Sequence, residues 1–136
     1  MRRAIGCLLA VTLLLLCGCA GKRRNEPQVS IGQPSYTQIS QEEARGIMET
    51  EDDCAIVDVR TQEEYDEGHI VGAICVPNEQ IGSAPLEVLP DLNQILLIYC
   101  RSGRRSKEAA EKLSNIGYTQ IYEFGGINTW TGEIER

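Results

Sequence analysis

Cys100-Arg101-Ser102-Gly103-Arg104-Arg105-Ser106 is the stretch of this 136-residue chain whose residue types and spacing could do chemistry. It follows the apolar run Ile95-Leu96-Leu97-Ile98-Tyr99 and precedes a helix-like stretch beginning near Ser106. The spacing therefore predicts a thiol on a strand-to-helix turn. Such a turn aims several backbone N–H groups and the positive end of a helix dipole at one spot, which binds anions and lowers thiol pKa values. The expected feature is an anion cradle with a nucleophile inside it.

Charge placement agrees with that reading. The chain is acidic, with formal net charge -7, yet four of the eight Lys and Arg residues beyond position 25 are Arg101, Arg104, Arg105 and Lys107. One basic pocket in an acidic protein suits a small anionic substrate, whereas a nucleic-acid surface needs a broad basic face. A solvated loop beside an inert core cysteine would explain neither Gly103 nor the three arginines.

The elements that must position this loop can be read from periodicity and caps. Tyr36 to Ile39 reads as a short strand, and Ser40 with Glu43 forms a capping box opening a helix through about Thr50. Ala55 to Val59 suits a buried parallel strand. Thr61 with Glu64 repeats the capping box, predicting a helix over Thr61 to Asp66 with Gly68 at its exit. Ile74 to Val76 is a strand ended by Pro77, while Asn78 to Pro90 is ambiguous, with room for one or two short helices. Ile95 to Tyr99 is the clearest strand. Ser106 to Ile116 has Ala109, Ala110, Leu113 and Ile116 at helical spacing, stopped by Gly117. Ile121 to Phe124 is a last strand, and Gly125-Gly126 leads into a short helix carrying Ile127 and Trp130. Alternating strands and helices predict an α/β fold: a small parallel sheet of about five strands with helices on both faces. Ligands bind such sheets at the carboxyl ends of the strands, where the Cys100 loop falls.

The N-terminus carries an address. Met1-Arg2-Arg3 precedes a 13-residue apolar stretch, Ala4 to Leu16, shorter than the roughly 17 to 25 residues of a spanning helix. This reads as a signal peptide over residues 1–18. Leu16-Cys17-Gly18-Cys19 resembles the lipobox of bacterial lipoproteins, which implies lipidation at Cys19. Residues 19–34 include Lys22-Arg23-Arg24, Pro27, Gly32 and Pro34, too polar for a core, and read as a flexible tether with a reach of roughly 20 Å. Its basic residues suit anionic headgroups. The expected location is extracytoplasmic, on a bacterial membrane. Residues 35–136 then form one domain with a modest core. After loss of Cys7 and Cys17 and lipidation of Cys19, Cys54, Cys75 and Cys100 remain, without a C-x-x-C pair; neither a disulfide framework nor a metal site is expected.

Three segments together resemble a single-domain rhodanese, a sulfurtransferase module, over about Tyr36 to Trp130. They are Asp58-Val59-Arg60-Thr61-Gln62-Glu63-Glu64-Tyr65 with Gly68-His69-Ile70-Val71-Gly72-Ala73 and Pro77, the Cys100 loop, and Phe124-Gly125-Gly126 with Trp130. Phosphatases of related fold separate cysteine and arginine by five residues so that the loop encloses a phosphate. Here four residues lie between Cys100 and Arg105, and position 106 is Ser, which is similar to the tighter loop of active sulfurtransferases.

The resemblance implies a double displacement. The Cys100 thiolate takes the outer sulfur of thiosulfate or a persulfide donor, becomes a persulfide, and passes that sulfur to a thiol or cyanide acceptor. No cofactor and no metal is implied. Backbone N–H groups from Arg101 to Arg105 should cradle the sulfur, with Arg101 and Arg104 attracting the donor, Ser102 offering a hydroxyl hydrogen bond, and Gly103 shaping the loop. Arg105 should close the loop on its own backbone or a nearby carboxylate. His69, Asp58 and Arg60 are expected to be structural, as are Tyr99, Phe124 and Trp130. The implied protein is a monomer that binds no nucleic acid. The competing reading is a binding or docking module that holds an anion or persulfide at the cell envelope. Thiol redox work lacks a resolving cysteine near Cys100 in sequence, and Cys75 is expected on a strand away from it.

Overall fold

The computed structural model describes residues 35–136; the segments expected to be a signal peptide and a tether, with Cys19, lie outside the described residues. The elements are β1 (Thr37–Gln38), α1 (Gln41–Thr50), β2 (Ala55–Asp58), α2 (Gln62–Glu67), β3 (His69–Ile70), β4 (Ile74–Cys75), β5 (Ile95–Cys100), α3 (Arg104–Ile116), β6 (Gln120–Gly126) and β7 (Ile134–Glu135). Two 3₁₀ turns, Asn78–Gln80 and Ile127–Thr129, follow β4 and β6. Among the described residues no helix is long and apolar enough to cross a membrane.

Five strands form one parallel sheet in the order β1-β6-β5-β2-β4. The central strand β5 is apolar along its length because both of its faces are covered. Leu96, Ile98 and Cys100 face α3, packing with Ala109, Ala110 and Leu113. Leu97 and Tyr99 face the α1 side with Ala44, Ile70 and Phe124. This strict alternation delivers Cys100 to the α3 side at the carboxyl edge of the sheet.

Both capping boxes form. The Glu43 N–H donates to Ser40 Oγ at 3.1 Å while the Ser40 N–H donates to Glu43 Oε2 at 2.8 Å. Thr61 and Glu64 exchange the same pair at 3.3 and 3.1 Å. Each box satisfies two N–H groups that the first helical turn leaves free.

Three features differ from the sequence reading or complete it. First, α3 begins at Arg104 rather than near Ser106, because Gly103 stands at its N-cap with φ 103° and turns the chain two residues sooner. Second, β3 and β7 make a separate antiparallel pair, His69 opposite Glu135 and Ile70 opposite Ile134, which two-residue strands do not announce in sequence. Third, the ambiguous segment Asn78 to Pro90 resolves into one short 3₁₀ helix, Asn78–Gln80, with no second helix after it. Tyr118 anchors the rest of the segment, accepting from the Leu86 N–H at 2.9 Å and donating to the Leu89 carbonyl at 2.7 Å.

Candidate active site

Cys100 ends β5 with its side chain buried, and the Gly103 N–H donates to Sγ at 3.0 Å. Burial pushes the thiol pKa up, but hydrogen bonding with the Ser106 hydroxyl and with the N–H groups of Ser106, Gly103 and Ser102 outweighs it, leaving a net lowering. The other two thiols among the described residues move the opposite way. Cys75 is pushed up to about 11 by burial and by Asp58, and Cys54 is raised by burial. Cys100 is thus the thiol of the three whose surroundings favour the thiolate, the reactive form.

The loop is held from three directions. Arg105 turns back to α2, where Glu64 receives it in a bidentate pair at 2.6 and 2.9 Å. Hydrogen bonding to Arg105 leads the causes that lower the Glu64 carboxyl to about 2, against the penalty of burial. From β6, Gly126 lies so close that a Cβ there would overlap the Arg101 carbonyl, so glycine is required. That carbonyl also accepts from the Asn128 N–H at 3.2 Å. On the helix side, Ser106 Oγ donates to Glu123 Oε1 at 2.6 Å, and the Gly125 N–H donates to the same oxygen at 2.9 Å.

The residues singled out in sequence separate into groups. Cys100, Gly103 and Arg105 lie in the held part of the loop, and Arg105 reaches a carboxylate. Arg101 and Ser102 are exposed at the rim. Arg104 is also exposed and pairs with Glu108 at 2.7 Å, one helical turn on. Asp58 and Arg60 form a buried ion pair at 2.6 Å, and Arg60 also donates to the Gly68 carbonyl at 2.7 Å, tying β2 to the end of α2. His69 stacks on Tyr65 with ring centroids 3.7 Å apart, and its Nδ1 lies 3.0 Å from the Tyr65 carbonyl. Tyr99 is buried and its hydroxyl accepts from the Ile70 N–H at 3.1 Å, while Phe124 sits between Tyr99 and Trp130.

Sequence reasoning placed Ser106 in the loop without a role for its hydroxyl, and did not name Glu64 or Glu123 for the site. Glu64 was legible only as a helix cap, and a single carboxylate serves both uses. Ser106 follows Arg105 directly, but its hydroxyl partner lies 17 residues away. Glu123 stands among apolar neighbours on β6 with no spacing that ties it to the loop, and it is buried.

Cys75 stands on the edge strand β4, with β2 between it and β5; Asp58 pairs with Cys75 on one side and Tyr99 on the other. Cys54, Cys75 and Cys100 are all free thiols.

The model of the rhodanese-like domain matches residues 40–133. The chain is 38% identical over 71 residues to thiosulfate sulfurtransferase PspE of Escherichia coli K12, covering 52% of this chain and 68% of that protein. It is 32% identical over 96 residues to thiosulfate sulfurtransferase GlpE of Coxiella burnetii, covering 70% and 87%. A solved structure described as a rhodanese with anions from E. coli is 32% identical, covers 60% of this chain and 96% of its own, and superposes with a TM-score of 0.54. These relatives and the five-stranded α/β architecture agree with the loop geometry: the chain belongs to the rhodanese-like family, whose members here include sulfurtransferases.

Proposed function

We propose that this protein moves a sulfane sulfur from thiosulfate or a persulfide donor to a nucleophilic acceptor through a Cys100 persulfide. The observation that carries the reading is the lowered Cys100 thiol at a helix N-terminus, in a chain whose other described thiols are raised. The steps balance as two displacements. Cys100 thiolate attacks the outer sulfur of thiosulfate, a sulfur–sulfur bond forms, the donor's own sulfur–sulfur bond breaks, and sulfite leaves with the electron pair. A thiolate or cyanide then attacks the outer sulfur of the persulfide and regenerates the Cys100 thiolate.

The chain's residues divide that work. Gly103 and Ser106 present N–H groups to the anionic sulfur, and Arg105 with Glu64 fixes the loop that carries them. Arg105 and Arg104 both have carboxylate partners, which leaves Arg101, exposed at the rim, as the loop arginine to draw in an anionic donor. In a folded protein, Cys100→Ser should abolish thiocyanate formation from thiosulfate and cyanide; retained turnover would remove Cys100 as nucleophile. A module that only binds an anion or docks a partner would form no thiocyanate in either version.

The second part of the reading is location: a signal peptide over residues 1–18 and a lipid on Cys19 that hold the domain outside the cytoplasm. All five strands of the main sheet run parallel, so Ser35, hydrogen-bonded to Ser114 near the end of α3, lies at the sheet edge opposite Cys100. A domain tethered through Ser35 would therefore open its cradle away from the membrane. Cys19→Ala should release the protein from the membrane fraction, and a variant that still sediments with membranes would contradict lipidation.

A further inference from the structure

Ser106 has one hydroxyl proton and two claimants for it. Glu123 Oε1 takes that proton at 2.6 Å and is buried, with its other partner at 2.9 Å being the Gly125 N–H. No Lys or Arg pairs with this carboxylate among the described residues. Cys100, on whose sulfur the Ser106 side chain and N–H also act, needs a donor as soon as it becomes a thiolate or a persulfide. A Cβ placed on Gly103, whose N–H bonds the sulfur, would stand 3.8 Å from Glu123 Oε1, so carboxylate and thiol both lie against the same turn of the loop.

We infer that Glu123 is a positioning residue that competes with Cys100 for the Ser106 hydroxyl proton and so sets how readily the thiol ionises. With Cys100 as a neutral thiol, Ser106 donates to Glu123 and turns a lone pair toward the sulfur. When Cys100 loses its proton to solvent, the Ser106 hydroxyl rotates and donates to the thiolate, leaving Glu123 with the Gly125 N–H. No bond to carbon or sulfur changes in this step, and Ser106 keeps its proton throughout. A buried carboxylate that holds the thiolate's donor raises the cost of forming the thiolate. Glu123 therefore restrains the nucleophile, and the gain is a cysteine less exposed to adventitious oxidation between turnovers. The other charged groups about the thiol are Arg101 and Arg104 on the loop, Arg105 with Glu64 of α2, and Glu79 of the 3₁₀ turn. None of them contacts Ser106 or Glu123.

The inference rests on Cys100 being the reactive thiol, and its test reads alkylation rather than sulfur transfer, so the two can fail separately. Purified protein is treated with iodoacetamide from pH 5 to 9, and modification is followed on the Cys100 peptide by mass spectrometry. Glu123→Gln keeps size and an acceptor but removes the charge. Below the midpoint of the profile, it should alkylate about threefold faster or more, with the profile displaced to lower pH. Glu123→Asp, too short to reach Ser106, should move the profile the same way, and it serves as the readout if the Gln variant does not fold. In a Ser106→Ala background the Glu123→Gln acceleration should largely vanish. An unchanged or slower rate in a folded Glu123 variant, or an undiminished acceleration without the Ser106 hydroxyl, would overturn the inference.

Discussion

At the scale of single residues, the site is a balance around one sulfur. Burial opposes the Cys100 thiolate, and hydrogen bonding with Ser106, Gly103 and Ser102 more than offsets it. Glu64 works one step removed, since it both caps α2 and receives Arg105. Its folded pKa, lowered to about 2, lies below its ordinary value of 4.5. A depressed carboxylate adds stability that is present above the unfolded value and is lost as pH falls through the folded one. The pair should therefore weaken the fold between about pH 4.5 and about 2. Glu64→Gln is expected to reduce the fall in melting temperature across that window. A variant with an undiminished fall would show that Glu64 does not take part in the acid response.

At the scale of elements, the active loop depends on the approach of β6 as much as on its own sequence. Gly126 leaves no space for a side chain against the Arg101 carbonyl, and Asn128 bonds that same carbonyl. Gly126→Ala must push the loop or the strand aside, so it should reduce sulfur transfer by at least about tenfold and lower stability by about 1–3 kcal/mol. Near-normal activity with an unchanged melting temperature would mean that the contact is not required. The elements themselves were largely legible, because each rests on a local signal: Ser40 with Glu43, Thr61 with Glu64, the apolar run through Tyr99, and Gly117 after Ile116. What escaped was set by distant partners. The β3–β7 pair depends on Ile70 meeting Ile134 across 64 positions, and the segment after Asn78 is anchored by Tyr118, which bonds both Leu86 and Leu89. The start of α3 was misplaced because Gly103 acts as its cap through backbone conformation, with no side chain to mark it. In the site, the cysteine loop was visible as a contiguous motif, whereas the Ser106–Glu123 bond joins two segments and has no sequence spacing of its own.

At the scale of the whole molecule, one parallel sheet separates the point where the chain enters from the point where the chemistry sits. Ser35 and the end of α3 occupy one edge, and Cys100 with the start of α3 occupies the other. Two buried layers, α3 on one face and α1 on the other, fix β5 and so fix the height and side at which Cys100 emerges. Formal charge of -7 is spread over the chain while the loop concentrates arginine, which favours small anions at the mouth and disfavours a broad anionic partner. All of this converges on a cysteine that should carry sulfur as a covalent passenger. Intact mass of the purified, reduced protein before and after thiosulfate tests that claim most directly. The account predicts a gain of roughly 32 Da, one sulfur, that is absent in Cys100→Ser and is lost on adding cyanide as thiocyanate appears. A folded, reduced protein that gains no sulfur from thiosulfate or from a persulfide donor, or that gains it equally in Cys100→Ser, would contradict it.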